Sequence, residues 1–147
     1  MAVEVLRRYP PVRLTATDYD ESMVGLARER LASFGDRAEV RRADAADLPF
    51  ADGAFDVTLS FVMLHHVIKW EQALGELVRV LRPGGRLIGY DLLGDRAGRF
   101  AHDHEGETRR MRRGELLQVL RELPIQEPTV KPAFGGLLAR FSMTKKA

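Results

Sequence analysis

A chain of 147 residues suits one domain of ordinary size, and folding at that length removes roughly 70% of the unfolded surface from water. Apolar residues make up 45% and charged residues 30%, which excludes a disordered segment, and no apolar run reaches the roughly 20 residues that cross a bilayer. A net charge of +2 is too small to imply nucleic acid as a partner, and the lack of cysteine excludes disulfides, a thiol nucleophile and thiolate metal ligands, which fits the cytoplasm.

Residues 1–5 have neither the basic start nor the apolar run of a signal peptide. Residues 2–9 read as a short helix with Val5, Leu6 and Tyr9 on one side, stopped by Pro10-Pro11. Residues 12–17 read as a strand, and Asp18-Tyr19-Asp20 as the turn leaving it. Asp20 is placed to cap the next helix, where Met23, Leu26, Ala27, Leu31 and Phe34 form one apolar stripe before Gly35 ends it. Residues 38–42 read as an edge strand, because only Ala38 and Val40 alternate inward.

Residues 55–64 carry the strongest strand signal, with Val57, Leu59, Phe61 and Val62 suited to a buried parallel position. A helix over 71–81 buries Ala73, Leu74, Leu77, Val78 and Leu81. Pro83-Gly84-Gly85 then breaks the chain before a strand at 86–90. Residues 92–112 read as a polar loop. A helix follows over 114–123, and residues 129–145 read as a β-hairpin turning at Gly135-Gly136. Helix and strand alternate throughout, which predicts a single α/β domain with helices on both faces of its sheet.

Two polar clusters outside this pattern invite other readings. Arg109-Arg110-Met111-Arg112-Arg113 could hold nucleic acid or another anion but reads first as a solvated turn before a helix, its field partly offset by the acids Asp103, Glu105 and Glu107. His102-Asp103-His104-Glu105 has suitable chemistry for a divalent ion, but adjacent ligands in one loop seldom surround one ion, and no metal is expected.

Three segments in order resemble the class I S-adenosylmethionine-dependent methyltransferases. Leu14-Thr15-Ala16-Thr17-Asp18-Tyr19-Asp20-Glu21-Ser22-Met23 looks like that family's second strand and turn, and Arg42-Ala43-Asp44-Ala45-Ala46-Asp47-Leu48-Pro49-Phe50 like its acidic loop after the third strand. Phe55-Asp56-Val57 followed by Leu81-Arg82-Pro83-Gly84-Gly85 looks like its fourth strand and the turn into the fifth. The subgroup most similar methylates small molecules and includes enzymes of menaquinone and ubiquinone biosynthesis. The resemblance implies a Rossmann-like sheet with a C-terminal antiparallel hairpin, S-adenosylmethionine as cofactor and a small-molecule methyl acceptor.

On that resemblance Asp18 would accept from both ribose hydroxyls, the alternative being a turn aspartate bonded to its own backbone. Tyr19 would offer its ring to the adenine, Asp44 would accept from the adenine amino group, and Ala45 would add a backbone N–H. Asp47 reads as a turn residue. Phe61 would lie against the cofactor where it meets the acceptor. His65 and His66 are candidates for a general base, the alternative being that one caps the next helix and the other packs against it.

The sequence departs from the family at its start. Residues 2–9 correspond to the helix that follows the family's first strand and Gly-x-Gly-x-Gly loop, and neither Gly25 nor Gly35 can stand in for that loop. The expectation is weak binding of the cofactor's methionine part, and strand edges near Leu14 and Leu59 that close together, pair with residues encoded upstream, or are covered by a second copy in a homodimer. A non-catalytic binding or oligomerisation module and a nicotinamide-dependent enzyme are the competing functions.

Overall fold

Helix α1, Ala2–Arg8, opens the computed structural model, which describes residues 1–93 and 111–147. The described residues fall into two compact units, Met1–Ala45 and Ala46–Ala147. The polar loop assigned to 92–112, the His102–Glu105 cluster and the arginines at 109 and 110 lie largely or wholly outside the described residues.

In the first unit, α1 ends just before Pro10-Pro11, where proline cannot continue a helical hydrogen-bond ladder. Strand β1, Leu14–Asp18, leads into α2, Glu21–Leu31, whose N-cap is Asp20 as expected. The Asp20 carboxylate accepts from the Ser22 N–H at 2.7 Å and the Ser22 hydroxyl at 2.6 Å. The Ser22 hydroxyl bond is the main cause that holds its pKa below the ordinary value. A 3₁₀ turn over Ala32–Arg37 includes Gly35 at φ 54°, and β2, Ala38–Arg42, then pairs parallel with β1 from Leu14 opposite Ala38 to Asp18 opposite Arg42.

The stripe on α2 differs from the expected one. Val24 and Leu31 are buried, whereas Met23 and Leu26 are exposed, as is Tyr9 after α1. Val24, Ala27 and Leu31 repeat at the spacing of one helix face, and Met23 and Leu26 stand to either side of it.

The second unit holds a four-stranded sheet in the order β3-β4-β6-β5. β3, Phe55–Phe61, runs parallel to β4, Leu81–Leu92, and the connection carries α3, Trp70–Arg79. α4, Arg113–Glu122, precedes β5, Ile125–Ala133, which pairs antiparallel with β6, Leu138–Lys145. β6 also pairs antiparallel with β4. The hairpin turns through Phe134–Gly136, as the glycine pair predicts. Lys145 Nζ donates to the carbonyls of Arg79 and Leu81 at 2.8 and 2.7 Å, joining the end of β6 to the passage from α3 into β4.

Three expectations for this unit are corrected. Val57 and Leu59 are 46% and 38% exposed, while Thr58 and Ser60 are buried. Side chains alternate along a strand, and the buried face admits Thr58 because its hydroxyl donates to the Leu77 carbonyl at 3.2 Å. Second, β3 ends at Phe61 rather than 64, because Val62 adopts φ 52°. Third, Pro83-Gly84-Gly85 lies within β4 instead of breaking before it. The register jumps from Phe55 opposite Leu81 to Val57 opposite Arg86, so residues 82–85 form a bulge. Gly84 has φ 74°, and a Cβ on Gly85 would meet the Arg82 carbonyl at 2.8 Å, which is why glycines occupy it.

α3 meets the expectation for its core: Ala73, Leu74, Leu77 and Val78 are buried on one face, with Leu81 beyond its end. Its polar side holds the preceding loop. Arg79 forms a two-pronged pair with Glu76, at 2.7 and 2.8 Å, and donates to Asp52 Oδ1 and to the carbonyls of Leu48 and Phe50. Glu76 also accepts from the Leu48 N–H at 2.8 Å. These bonds, first the one from Arg79, lower the Glu76 pKa despite partial burial.

Candidate functional site

In parallel α/β sheets ligands collect beyond the carboxyl ends of strands, because the loops and helix N-termini there converge. In the first unit that end holds Asp18, Tyr19, Asp44 and Ala45. The Ala43 N–H donates to the Asp18 carbonyl at 3.0 Å, carrying the chain after β2 alongside the end of β1. Asp18 Oδ1 accepts from the Asp20 N–H at 3.0 Å. The turn role weighed for Asp18 is therefore present, yet it uses one oxygen, and the second makes no bond to the described residues.

Tyr19 is exposed, and Arg42 steadies it twice. The Arg42 guanidinium carbon lies 5.4 Å from the centre of the ring, and Arg42 Nε donates to the Tyr19 carbonyl at 3.0 Å. One ring face is thus engaged by a cation. Asp44 is exposed and Ala45 half-buried in the turn that follows β2. Sequence reasoning missed Arg42, although its position directly opposite Asp18 in the ladder follows from pairing the two strands in register.

In the second unit the carboxyl ends of β3 and β4 hold Phe61, His65 and His66. Phe61 packs beside Tyr90 across the ladder, ring centres 5.0 Å apart. After Phe61 the chain turns sharply at Val62, a β-branched residue in the left-handed region, whose N–H still donates to the Tyr90 carbonyl at 2.9 Å. A 3₁₀ turn over Leu64–His66 follows. The His65 and His66 ring centres are 3.9 Å apart. Neither histidine caps the next helix: Lys69 occupies the N-cap position of α3, with no side-chain cap.

The residue that organises this end is Asp91, fully buried in β4. Its Oδ2 accepts from the N–H groups of Met63 and Leu64 at 2.8 and 2.7 Å. Its Oδ1 accepts from the Leu92 N–H at 2.7 Å and lies 2.6 Å from His65 Nδ1. Sequence reading passed over Asp91, although Leu87, Gly89 and Asp91 alternate on one face and an acid on a buried face needs partners.

The fold defines a Rossmann-like α/β protein, with these residues at the carboxyl ends of its parallel strands. Comparison with known proteins narrows the class: a family model described as a methyltransferase domain matches residues 1–89, and the chain belongs to that family. A ubiquinone/menaquinone biosynthesis C-methyltransferase UbiE of Geotalea daltonii is 32% identical over 149 residues, covering 99% of this chain and 55% of the relative. A demethylmenaquinone methyltransferase of Clavibacter sepedonicus is 49% identical over 76 residues, covering 51% of this chain and 30% of the relative. The chain thus spans about half the length, or less, of these curated relatives.

Among solved structures, a SAM-dependent methyltransferase from Methanosarcina mazei aligns with TM-score 0.74 at 20% identity, covering 99% of this chain and 87% of that one. The (4+2)-cyclase SpnF aligns with TM-score 0.77 at 19% identity, covering 99% and 71%. At such identities the likeness establishes the Rossmann-like methyltransferase fold alone, and a cyclase on that fold illustrates why function must be argued from the site. Among the described residues no helix is long and apolar enough to cross a membrane, and no cluster of His, Asp and Glu has the makings of a metal site.

Proposed function

We propose that the chain carries out S-adenosylmethionine-dependent methyl transfer to a small-molecule acceptor, in the cytoplasm. Family membership supports the class, and the half-satisfied carboxylate of Asp18 carries the reading to the site. Its second oxygen suits ribose hydroxyls, the open face of Tyr19 suits a purine, and Asp44 and Ala45 stand beside them to receive the base. These residues fit the adenosine half of the cofactor. The cofactor supplies an electrophilic methyl group on a sulfonium sulfur.

In the second unit Phe61 offers an apolar wall, and His65 or His66 accepts a proton from the acceptor. Alignment in a water-poor pocket supplies much of the acceleration in such a reaction, and a positioned base typically adds about 10²–10⁴-fold. The names of the relatives favour a quinone-type acceptor. A second copy of the chain against the edge of β3 that no strand among the described residues pairs with belongs to the same reading. It rests on Val57 and Leu59, two exposed apolar residues on that edge strand, and sedimentation as a monomer removes it.

The test is ligand-dependent melting, since a ligand bound only by the folded state raises Tm. S-adenosylmethionine is expected to raise the Tm of the chain, and NADH is not. A shift with NADH alone favours a dehydrogenase, and a shift with neither favours a non-catalytic module.

A further inference from the structure

We infer that Asp91 is a positioning residue that holds His65 with Nε2 as a proton acceptor, so that the site takes methyl acceptors that must lose a proton, a hydroxyl or an acidic carbon. The inference deepens the methyl-transfer reading and rests on it for the acceptor class, while the pairing of Asp91 with His65 stands on geometry.

A carboxylate only accepts hydrogen bonds. Three backbone N–H groups already point at Asp91, two on Oδ2 and one on Oδ1. The fourth neighbour, His65 Nδ1 at 2.6 Å from Oδ1, must therefore donate. In a neutral imidazole a proton on Nδ1 leaves a lone pair on Nε2. Nε2 makes no hydrogen bond to the described residues, and it is not one of their buried polar atoms left without a partner. The His65 side chain keeps 20% of its surface exposed while Asp91 has none, so the dyad has a sealed end and an accessible end.

The backbone is bent to make this arrangement. Val62 at φ 52° turns the chain so that two successive N–H groups, of Met63 and Leu64, reach one oxygen of Asp91, and His65 follows directly. β-branched residues rarely adopt such a φ, and strain of this kind persists where the surroundings enforce it. Asp91 itself is set by the β4 ladder, with its neighbour Tyr90 opposite Phe61. Among the described residues, His66 joins Asp91 as a titratable neighbour of the His65 ring.

An acceptor that arrives already nucleophilic, such as a thiolate or a free amine, gains little from such a base. A hydroxyl or an acidic C–H needs one. Its proton passes to His65 Nε2, and the electron pair left on oxygen or carbon forms the bond to the methyl carbon. The carbon–sulfur bond breaks with its pair kept by sulfur, and the imidazolium returns the proton to water.

The test begins with the tautomer, read by ¹⁵N NMR of the histidine-labelled chain, with His65→Gln assigning the signal. Nδ1 is expected to give the protonated, amine-type shift and Nε2 the bare, imine-type shift. A proton on Nε2 in the wild-type chain overturns the inference without any variant. In folded Asp91→Asn, whose amide can donate to Nδ1, the proton is expected to move to Nε2.

The second arm measures methylation of hydroquinone, with dithiothreitol as the thiol control. Asp91→Asn and His65→Gln should lower kcat for hydroquinone by about 100-fold or more and flatten the acid limb of its pH profile, with the thiol rate little changed. Wild-type kcat and pH profile in a folded variant also overturn the inference. If the wild-type chain methylates nothing, the methyl-transfer reading fails and takes the acceptor class with it, while the tautomer still decides the pairing.

Discussion

Asp18 and Asp91 are both aspartates near the carboxyl end of a parallel strand, and their surroundings give them opposite capacities. Asp18 is half-buried, engages one oxygen with the Asp20 N–H and keeps the other unbonded to the described residues. Asp91 is fully buried, and four donors converge on its two oxygens. A carboxylate with unused acceptor capacity can receive a ligand. One whose capacity is filled cannot, but it can fix the geometry of whatever donates to it. Position on the fold therefore nominates a residue, and its hydrogen-bond occupancy decides which task it can perform.

The comparison predicts effects of different kind and size. Asp91→Ala leaves three backbone N–H groups without their acceptor. With each orphaned donor costing about 1–3 kcal/mol, the loss of stability should be about 3 kcal/mol or more. Urea denaturation measures it, and a loss below about 1 kcal/mol would mean that the four bonds are not the anchor they look like.

Gly89→Ala tests the same end of the sheet sterically. A Cβ there would lie 2.4 Å from the Ser60 carbonyl and 2.5 Å from the Phe141 ring, so a loss of about 1–3 kcal/mol is expected, read from the Tm.

Asp18→Asn is the converse of the first change. An amide oxygen can still accept from the Asp20 N–H, so stability should move by less than about 0.5 kcal/mol. Hydrogen bonds to a charged group are worth about 1.5–3 kcal/mol, so affinity for S-adenosylmethionine should fall about tenfold or more by calorimetry. Unchanged affinity with unchanged stability would leave Asp18 as a turn residue only.

The smallest effect concerns Glu76, whose pKa is lowered chiefly by Arg79. A depressed folded-state pKa contributes stability above the ordinary value of 4.5, and that contribution is lost as pH falls through the folded value. Glu76→Gln should therefore cost under about 1 kcal/mol at neutral pH, with the gap to wild type closing in acid.

How much of this was legible in the sequence depends on the range of the interactions concerned. The Asp20 cap, the hairpin turn at Gly135-Gly136 and the apolar face of α3 follow from residues within a turn or two of each other, and local pattern reveals them. Strand β3 misled because Val57 and Leu59 look like core, whereas the face is chosen by what Thr58 and Ser60 pack against. Asp91 was hidden for a related reason. Its partners Met63, Leu64 and His65 lie 26 to 28 positions earlier, and only the parallel register of β3 and β4 brings them near. Residue types at the strand ends of the first unit were readable because Asp18, Tyr19 and Asp44 flank two adjacent strands. The filled hydrogen-bond set that gives Asp91 its role belongs to tertiary structure.

The strand order of the second unit also carries a consequence for how the chain acquires its shape. β6, residues Leu138–Lys145, lies inside the sheet between β4 and β5, and among the described strands β5 pairs only with β6. During synthesis β4 waits more than forty residues for its second neighbour, and β5 has no partner until the chain turns at Phe134–Gly136. Lys145 closes bonds to residues 64 and 66 positions earlier. Contacts of such separation make folding slow, because loop closure must be met before the contacts reward it. Ribosome-bound chains halted before residue 138 should therefore remain open to protease across β4, although that strand's own sequence is already complete.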